Sequence, residues 1–441
     1  MYSKTKMKIK FLLSVLTLIV ILTAFFTVNY INKKKQKISN LEKKIIDLKI
    51  EKGKVANKIG FIPFNYIEDF KIEIFDNTLY LKKYKTNLLN FTKGFSGKGS
   101  SYLDFFMNQL FLVSANGLIA KTELENFNSD KINMQIVESN LNEFLNEQQM
   151  FTQLAYGIKD VMIDDDKIYI SYTDEIEQNC FNISLLEGKI SDDKIINFQY
   201  FFKPSSCIKK DIEQNFSLHQ SGGRIINIDN NNLLLSVGEF RSRLLAQDTE
   251  SINGKIIQIN KKNKNVKILS IGHRNPQGLF LDKETGYIYA SEHGPKGGDE
   301  INIIMDKNKI PNFGWPIASY GEHYERPGED NSLLYKSAPL YKSHINYGFV
   351  EPIKNFTPSI GISELILLNL LNQKTLIVSS MGKDISEGDM SLHVYKVDGK
   401  NLKNYKVIPI NERVRDLIYI EKKKMILLFL ESSKSIGVIQ L

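Results

Sequence analysis

Cysteine is scarce: Cys180 and Cys207 are the only two in 441 residues. They lie 27 residues apart with no histidine close by, which excludes a thiolate metal motif. Either one disulfide or two buried free thiols fits, and the first requires an oxidising compartment. Net positive charge is missing from most of the chain. The formal net charge is +8, but residues 1–58 alone carry +11, from 14 Lys and no Arg against 3 acidic residues, leaving −3 for the remainder. A mildly acidic body has no basic stripe for a polyanion, so nucleic acid is excluded as a partner.

A long charge-free run occurs at Phe11–Ile31, 21 residues. At about 1.5 Å per residue it matches a hydrocarbon core of about 30 Å. No small-residue cleavage site of the Ala-x-Ala kind follows its apolar centre, which continues Thr23-Ala-Phe-Phe-Thr-Val. An uncleaved single-pass anchor is therefore expected, in preference to a cleaved signal peptide. Lys4, Lys6, Lys8 and Lys10 precede it and Lys33, Lys34, Lys35 and Lys37 follow, so lysine counting chooses no orientation. Next, Ile38, Leu41, Ile45, Leu48, Val55 and Ile59 fall on a heptad seam broken by Lys52. That pattern suits either a short coiled coil, through which copies could associate, or a solvated helical stalk. The division reads as anchor over 1–32, stalk over 33–59 and one large domain over 60–441.

That domain repeats one wording: a polar turn, then a short apolar strand. It occurs at Asn108-Gln-Leu-Phe-Leu-Val-Ser, Asp165-Asp-Lys-Ile-Tyr-Ile-Ser, Asn231-Asn-Leu-Leu-Leu-Ser, Gly286-Tyr-Ile-Tyr-Ala-Ser, Lys374-Thr-Leu-Ile-Val-Ser and Lys424-Met-Ile-Leu-Leu-Phe. Six copies at roughly blade spacing predict an all-β, six-bladed β-propeller.

Chemistry-bearing residues crowd between Ile271 and Pro316. Gly272-His-Arg-Asn-Pro-Gln-Gly278 and Ser291-Glu-His-Gly-Pro-Lys-Gly-Gly-Asp-Glu300 flank a strand–turn–strand run, and Asn312-Phe-Gly-Trp-Pro316 follows. Such polar, Gly- and Pro-rich blocks at both ends of a hairpin present side chains and bare backbone to a ligand. Farther out stand Leu218-His-Gln-Ser-Gly-Gly-Arg224, Thr357-Pro-Ser-Ile-Gly361 and Asn411-Glu-Arg-Val-Arg-Asp416. In an extended segment Arg413 and Arg415 point to the same face, so both can meet one ligand.

These blocks closely resemble the glucose/sorbosone dehydrogenase family, most strongly over 150–441. The resemblance implies a six-bladed propeller that uses pyrroloquinoline quinone (PQQ) with calcium to oxidise an aldose-type hydroxyl. It implies His219 as the catalytic base, and a neutral imidazole can take a hydroxyl proton near physiological pH. PQQ is a planar tricarboxylate and calls for guanidinium forks. The implied contacts are Arg274, Asn275, Gln277, Ser359, Lys383, Arg413 and Arg415. Calcium takes oxygens, including carbonyls, here those of Gly294 and Pro295; Asp299 and Glu300 either join them or order the loop. This sequence departs from the family pattern at Ala155, where a substrate-side Gln is usual, at Leu218, and at Gly382, with Lys383 one residue late. The family's setting implies a periplasmic domain, a sugar substrate, and an electron acceptor the sequence does not name. Competing functions are a non-catalytic propeller that binds a sugar or a protein, and a calcium-dependent lactonase.

Overall fold

The computed structural model describes residues 2–74, 77–89, 100–145, 156–190, 195–210, 216–324, 332–370, 372–382 and 389–441. Met1–Val55 forms one compact unit and Ala56–Leu441 the other.

A single helix runs over Tyr2–Ile59. The expected anchor over Phe11–Ile31, and with it a membrane-bound, single-pass placement, is not borne out. Among the described residues no helix is long and apolar enough to cross a membrane. The side chains of 11–15 and 18–21 fall outside the described residues. Ile38, Leu41, Ile45 and Leu48 of the heptad seam are exposed.

The second unit is all-β and propeller-like. Six strands form its innermost ring: Ser101–Phe106, Gly157–Asp164, Gly222–Asp229, Pro276–Leu281, Ile362–Leu370 and Val414–Ile420. Each packs against the next, and the last against the first. Further strands pair outward from each in antiparallel order. The last sheet closes from both ends of the domain, since Asn77–Lys85 pairs with Ser435–Gln440, Leu81 standing opposite Ile439. A long strand, Phe61–Ile74, joins that sheet to the one beginning at Ser101 through Lys131–Ser139.

The repeated wording has one structural meaning. Its six copies become Gln109–Ser114, Lys167–Glu177, Asn232–Val237, Ile288–Glu292, Gln373–Ser380 and Met425–Leu430, each the second strand from the axis. Their apolar residues are buried on both faces between sheets, which explains continuous apolar runs instead of alternation. Their serines tie neighbouring sheets together. Ser171 Oγ donates to the carbonyl of Gly223 at 2.5 Å, Ser236 Oγ to Pro276 at 3.2 Å, and Ser291 Oγ to Ser363. Inner-strand carboxylates add a second seam. Asp104, Asp160 and Asp416 accept from the amides of Ile163, Ile225 and Leu103 on the following inner strand, at 2.5, 2.7 and 2.6 Å.

Cys180 and Cys207 form a disulfide, resolving the two alternatives, with Cα atoms 5.3 Å apart. It fastens the start of Cys180–Lys189 to the segment leading into its edge partner Ile208–Lys209. Closing a loop of 27 residues restricts the unfolded chain by about 3–4 kcal/mol in the chain-entropy picture. Cys180→Ser is expected to lower stability by about that amount in urea unfolding, with reductant shifting the native protein's midpoint and not the variant's.

Candidate active site

The inner strands run the same way around the ring, so their starts share one end of it. Before or at those starts lie His219, Arg274, Asn275, Gln277, Ser359, Arg413 and Arg415. The Gly294–Asp299 loop follows an antiparallel second strand and opens at the same end. Residues far apart in sequence are thus gathered at one mouth.

Below the mouth lies a buried charge cluster. Arg224 reaches Asp160 at 2.7 Å, Glu364 at 2.5 Å and Asp416 at 2.9 Å, and its guanidinium lies 5.8 Å from the Tyr102 ring centroid. One cation faces three carboxylates away from water. Burial pushes the Asp160 carboxyl up to about 8, against the pull of Arg224. Glu364 is likewise raised well above its ordinary value, burial again outweighing Arg224. Asp104 nearby is pushed up to about 7 by burial.

His219 occupies a short turn, Leu218–Gln220, whose Ser217 hydroxyl accepts from the His219 amide at 3.4 Å. The imidazole is solvent-accessible yet crowded. Its pKa is lowered to about 4, first by the desolvation that the groups packed around it impose and then by the charges of Lys159, Arg241 and Arg415. At neutral pH it is therefore unprotonated and can accept a proton. Asn275 braces the turn, donating to the His219 carbonyl at 3.2 Å while its own oxygen accepts from the Gly222 amide (3.0 Å) and from Gln277 (3.0 Å).

Arg413 and Arg415 share Glu431, at 2.8 and 3.0 Å. Arg413 also donates to the carbonyls of Met381 (2.5 Å) and Gly382. Arg415 Nε is buried without an acceptor among the described residues. Arg274 donates to the His293 carbonyl at 3.1 Å, lies 5.4 Å from the Trp315 ring and has its amide held by Glu292 at 2.8 Å. A buried guanidinium with an unmatched donor suits a carboxylate ligand.

The Gly294–Pro295 loop is backbone-rich. An added Cβ at Gly294 would run into the Gly298 carbonyl. Both carboxylate oxygens of Asp299 are taken by amides: Gly294 at 3.1 Å, Ile360 at 3.1 Å and Ile362 at 3.0 Å. Ser359 Oγ donates to the Pro295 carbonyl at 3.3 Å. Glu300 is buried, 3.6 Å from His344, and burial with the neighbouring charge of Glu292 raises its pKa well above normal. Among the described residues no group of three or more His, Cys, Asp or Glu side chains could hold a metal ion. Lys383 and Ala155 lie outside the described residues. His273 is a positioning group, bonded to Ser270 at 2.7 Å and Glu292 at 2.9 Å.

Sequence reading missed Lys159, Arg241 and Glu431. The signal for the first two was a cation beside a carboxylate, in Lys159-Asp160 on an apolar strand and in Gly238-Glu-Phe-Arg241 after one. Burial lowers the Lys159 pKa to about 7, with Arg415 adding to it.

Residues 127–436 match the sequence model of the family described as Glucose / Sorbosone dehydrogenase. Aldose sugar dehydrogenase YliI of Escherichia coli (strain K12) is 28% identical over 288 residues, covering 59% of this chain and 71% of that protein. A crystal structure of a glucose dehydrogenase aligns with TM-score 0.61 at 19% identity, over 77% of this chain and 96% of that one. The PQQ-bound form of an aldose sugar dehydrogenase from Streptomyces coelicolor aligns with TM-score 0.55 at 16% identity, over 78% of this chain and 93% of that one. At such identities the two structures speak to the fold.

Proposed function

Because the chain belongs to the glucose/sorbosone dehydrogenase family, we propose that it is an oxidoreductase on aldose-type sugars, built as a six-bladed propeller over 60–441 and using PQQ. The observation that carries this reading is the gathering of His219, Arg274, Asn275, Arg413 and Arg415 at one end of the ring. A planar tricarboxylate fits such a surface, and the unmatched Nε of Arg415 is a ready donor for it. PQQ, when bound, supplies the two-electron acceptor for the chemistry.

The protein's own part is binding, orientation and one proton. Arg274, Arg413 and Arg415 hold carboxylates, with Asn275 and Gln277 as polar contacts and Ser359 and Lys383 completing the set. An imidazole nitrogen of His219 takes the proton of the sugar hydroxyl, leaving the carbinol carbon ready to lose hydride. Desolvation first, and then the crowding cations, favour the unprotonated form of that nitrogen beforehand. Calcium belongs to the proposal through the carbonyls of Gly294 and Pro295. Asp299, already saturated by amides, and Glu300, whose burial favours its neutral form, shape that loop instead of binding the ion.

The test is a titration of the purified protein with PQQ and calcium, followed by an aldose screen with a dye acceptor. Saturable binding at micromolar quinone and aldose-dependent dye reduction are expected. Absence of quinone binding would replace this reading with the non-catalytic propeller. Arg415→Ala and Arg413→Ala should each weaken quinone binding about tenfold or more, since a charge-assisted bond contributes about 1.5–3 kcal/mol. Unchanged affinity in both would return these arginines to a role in fixing Glu431 alone.

A further inference from the structure

Gln220 directly follows the proposed base in the chain, and its side chain is buried. Resting on the function proposed above, we infer that Gln220 is a positioning residue, whose amide fixes the cofactor-gripping Arg274 to the turn that carries His219.

Three segments from two neighbouring sheets meet at this side chain. The first is the turn Leu218–Gln220, ahead of the inner strand Gly222–Asp229. The second, residues 238–241, leaves the end of that sheet's second strand, Asn232–Val237. The third, Arg274 and Asn275, leads into the inner strand of the next sheet, Pro276–Leu281. Backbone contacts press them together. Gly238 lies so close to the turn that a Cβ there would run into the Gln220 carbonyl. The Phe240 amide donates to that carbonyl and the Phe240 carbonyl accepts from the Ser217 amide, both at 2.8 Å, while the Glu239 amide donates to the Arg274 carbonyl at 3.1 Å. Phe240 and Arg241 have left-handed φ, +53° and +69°, a conformation that non-glycine residues keep only where surroundings impose it. They do so here: Phe240 is fully buried against Phe216, ring centroids 5.9 Å apart.

The hydrogen-bonding network orients the Gln220 amide so that its oxygen accepts from Arg274 Nη2 at 2.7 Å and from Arg241 Nε at 3.2 Å, while its nitrogen donates to Glu239. Only a side chain that offers an acceptor and a donor at once can serve two guanidiniums and a carboxylate together, and an amide does. Arg274 is thereby held at both tips of its fork, Nη2 by Gln220 and Nη1 by the His293 carbonyl at 3.1 Å. The next residue repeats the link, since Asn275 donates to the His219 carbonyl at 3.2 Å. Two consecutive residues of one segment thus grip two consecutive residues of the other, Arg274 to Gln220 and Asn275 to His219. A misplacement of about 1 Å in a reacting site can cost about 10²-fold in rate, so tying the cofactor grip to the base bears directly on turnover.

Two measurements test this. In the quinone-free protein the Nη protons of Arg274 should give separate, slowly averaging NMR signals, assigned by their loss in Arg274→Met. Gln220→Met should merge them, whereas Gln220→Glu, which keeps an acceptor oxygen for the guanidinium, should preserve them. Affinity for PQQ in the presence of calcium is then compared in the native protein, Gln220→Met, Arg274→Met and the double variant, with urea melts to separate loss of fold from loss of position. Gln220→Met should weaken binding about tenfold, as expected for one charge-assisted hydrogen bond, and should change it less than about twofold once Arg274 is already methionine. Its turnover at saturating quinone should fall about tenfold or more. Unchanged Arg274 signals in Gln220→Met would overturn the inference. So would an equal loss of affinity in both backgrounds, which would give Gln220 a general structural role. Failure of the native protein to take up quinone would sink the enzyme reading, leaving the NMR signals to decide whether Gln220 holds Arg274.

Discussion

His219→Ala is expected to bind the quinone as the native protein does and to lose about 10²- to 10⁴-fold in turnover, a range of about 3–5 kcal/mol for a positioned general base. The expectation follows from its position in the turn ahead of Gly222 and from its charge state. A histidine pKa of about 4 means that the base is deprotonated throughout the neutral range. The pH dependence is accordingly placed low. In the quinone-free protein the His219 imidazole should titrate near pH 4 by NMR, and Arg415→Ala, which removes one of the charges responsible, should move its midpoint upward. Near-normal turnover in His219→Ala would exclude this residue as the base, and a midpoint near 6.5 would remove the electrostatic argument.

Arg224→Met should be the most destabilising of the changes considered, by about 3–5 kcal/mol at pH 8, because removing one member of a buried ion cluster leaves the others uncompensated. The loss should shrink in acid. Asp160 and Glu364 have pKa values raised by burial and held down in part by Arg224. A carboxyl with a raised folded pKa contributes stability that is complete below its unfolded value, about 3.9 for Asp. For Asp160 that contribution fades as pH rises through about 8. Without Arg224 these carboxyls rise further, so between pH 7 and pH 9 the variant should go on losing stability where the native protein's loss levels off. Urea melts at both pH values decide it; parallel losses would mean that the cluster's carboxyls do not exchange protons on unfolding.

Much of the fold was legible because one constraint repeats. A second strand buried on both faces must be apolar throughout, and its serine must satisfy a carbonyl on the neighbouring sheet, so Tyr169-Ile-Ser171, Leu234-Leu-Ser236 and Tyr289-Ala-Ser291 look alike. The Arg274-Asn-Pro-Gln277 and Arg413-x-Arg415 blocks were visible because they are local. Lys159 and Arg241 were not singled out, since a cation near a carboxylate, on an apolar strand or in the loop after one, is a common pattern whose meaning depends on what adjoins it across the ring. The N-terminal segment misled for a different reason: an uncharged run in sequence marks a candidate span, whereas among the described residues no helix is long and apolar enough to cross a membrane.

The pairing of Asn77–Lys85 with Ser435–Gln440 sets a schedule for biosynthesis. On a ribosome, Leu81 leaves the exit tunnel 358 residues ahead of its partner Ile439, about 20–70 s earlier at about 5–20 residues per second. Throughout that interval the nascent chain carries an open strand edge, a template for pairing with other chains. Removing residues 435–441 would extend the interval indefinitely, so a premature stop at Ser435 should send the product to aggregates or to chaperones, although every residue at the mouth of the ring is still present.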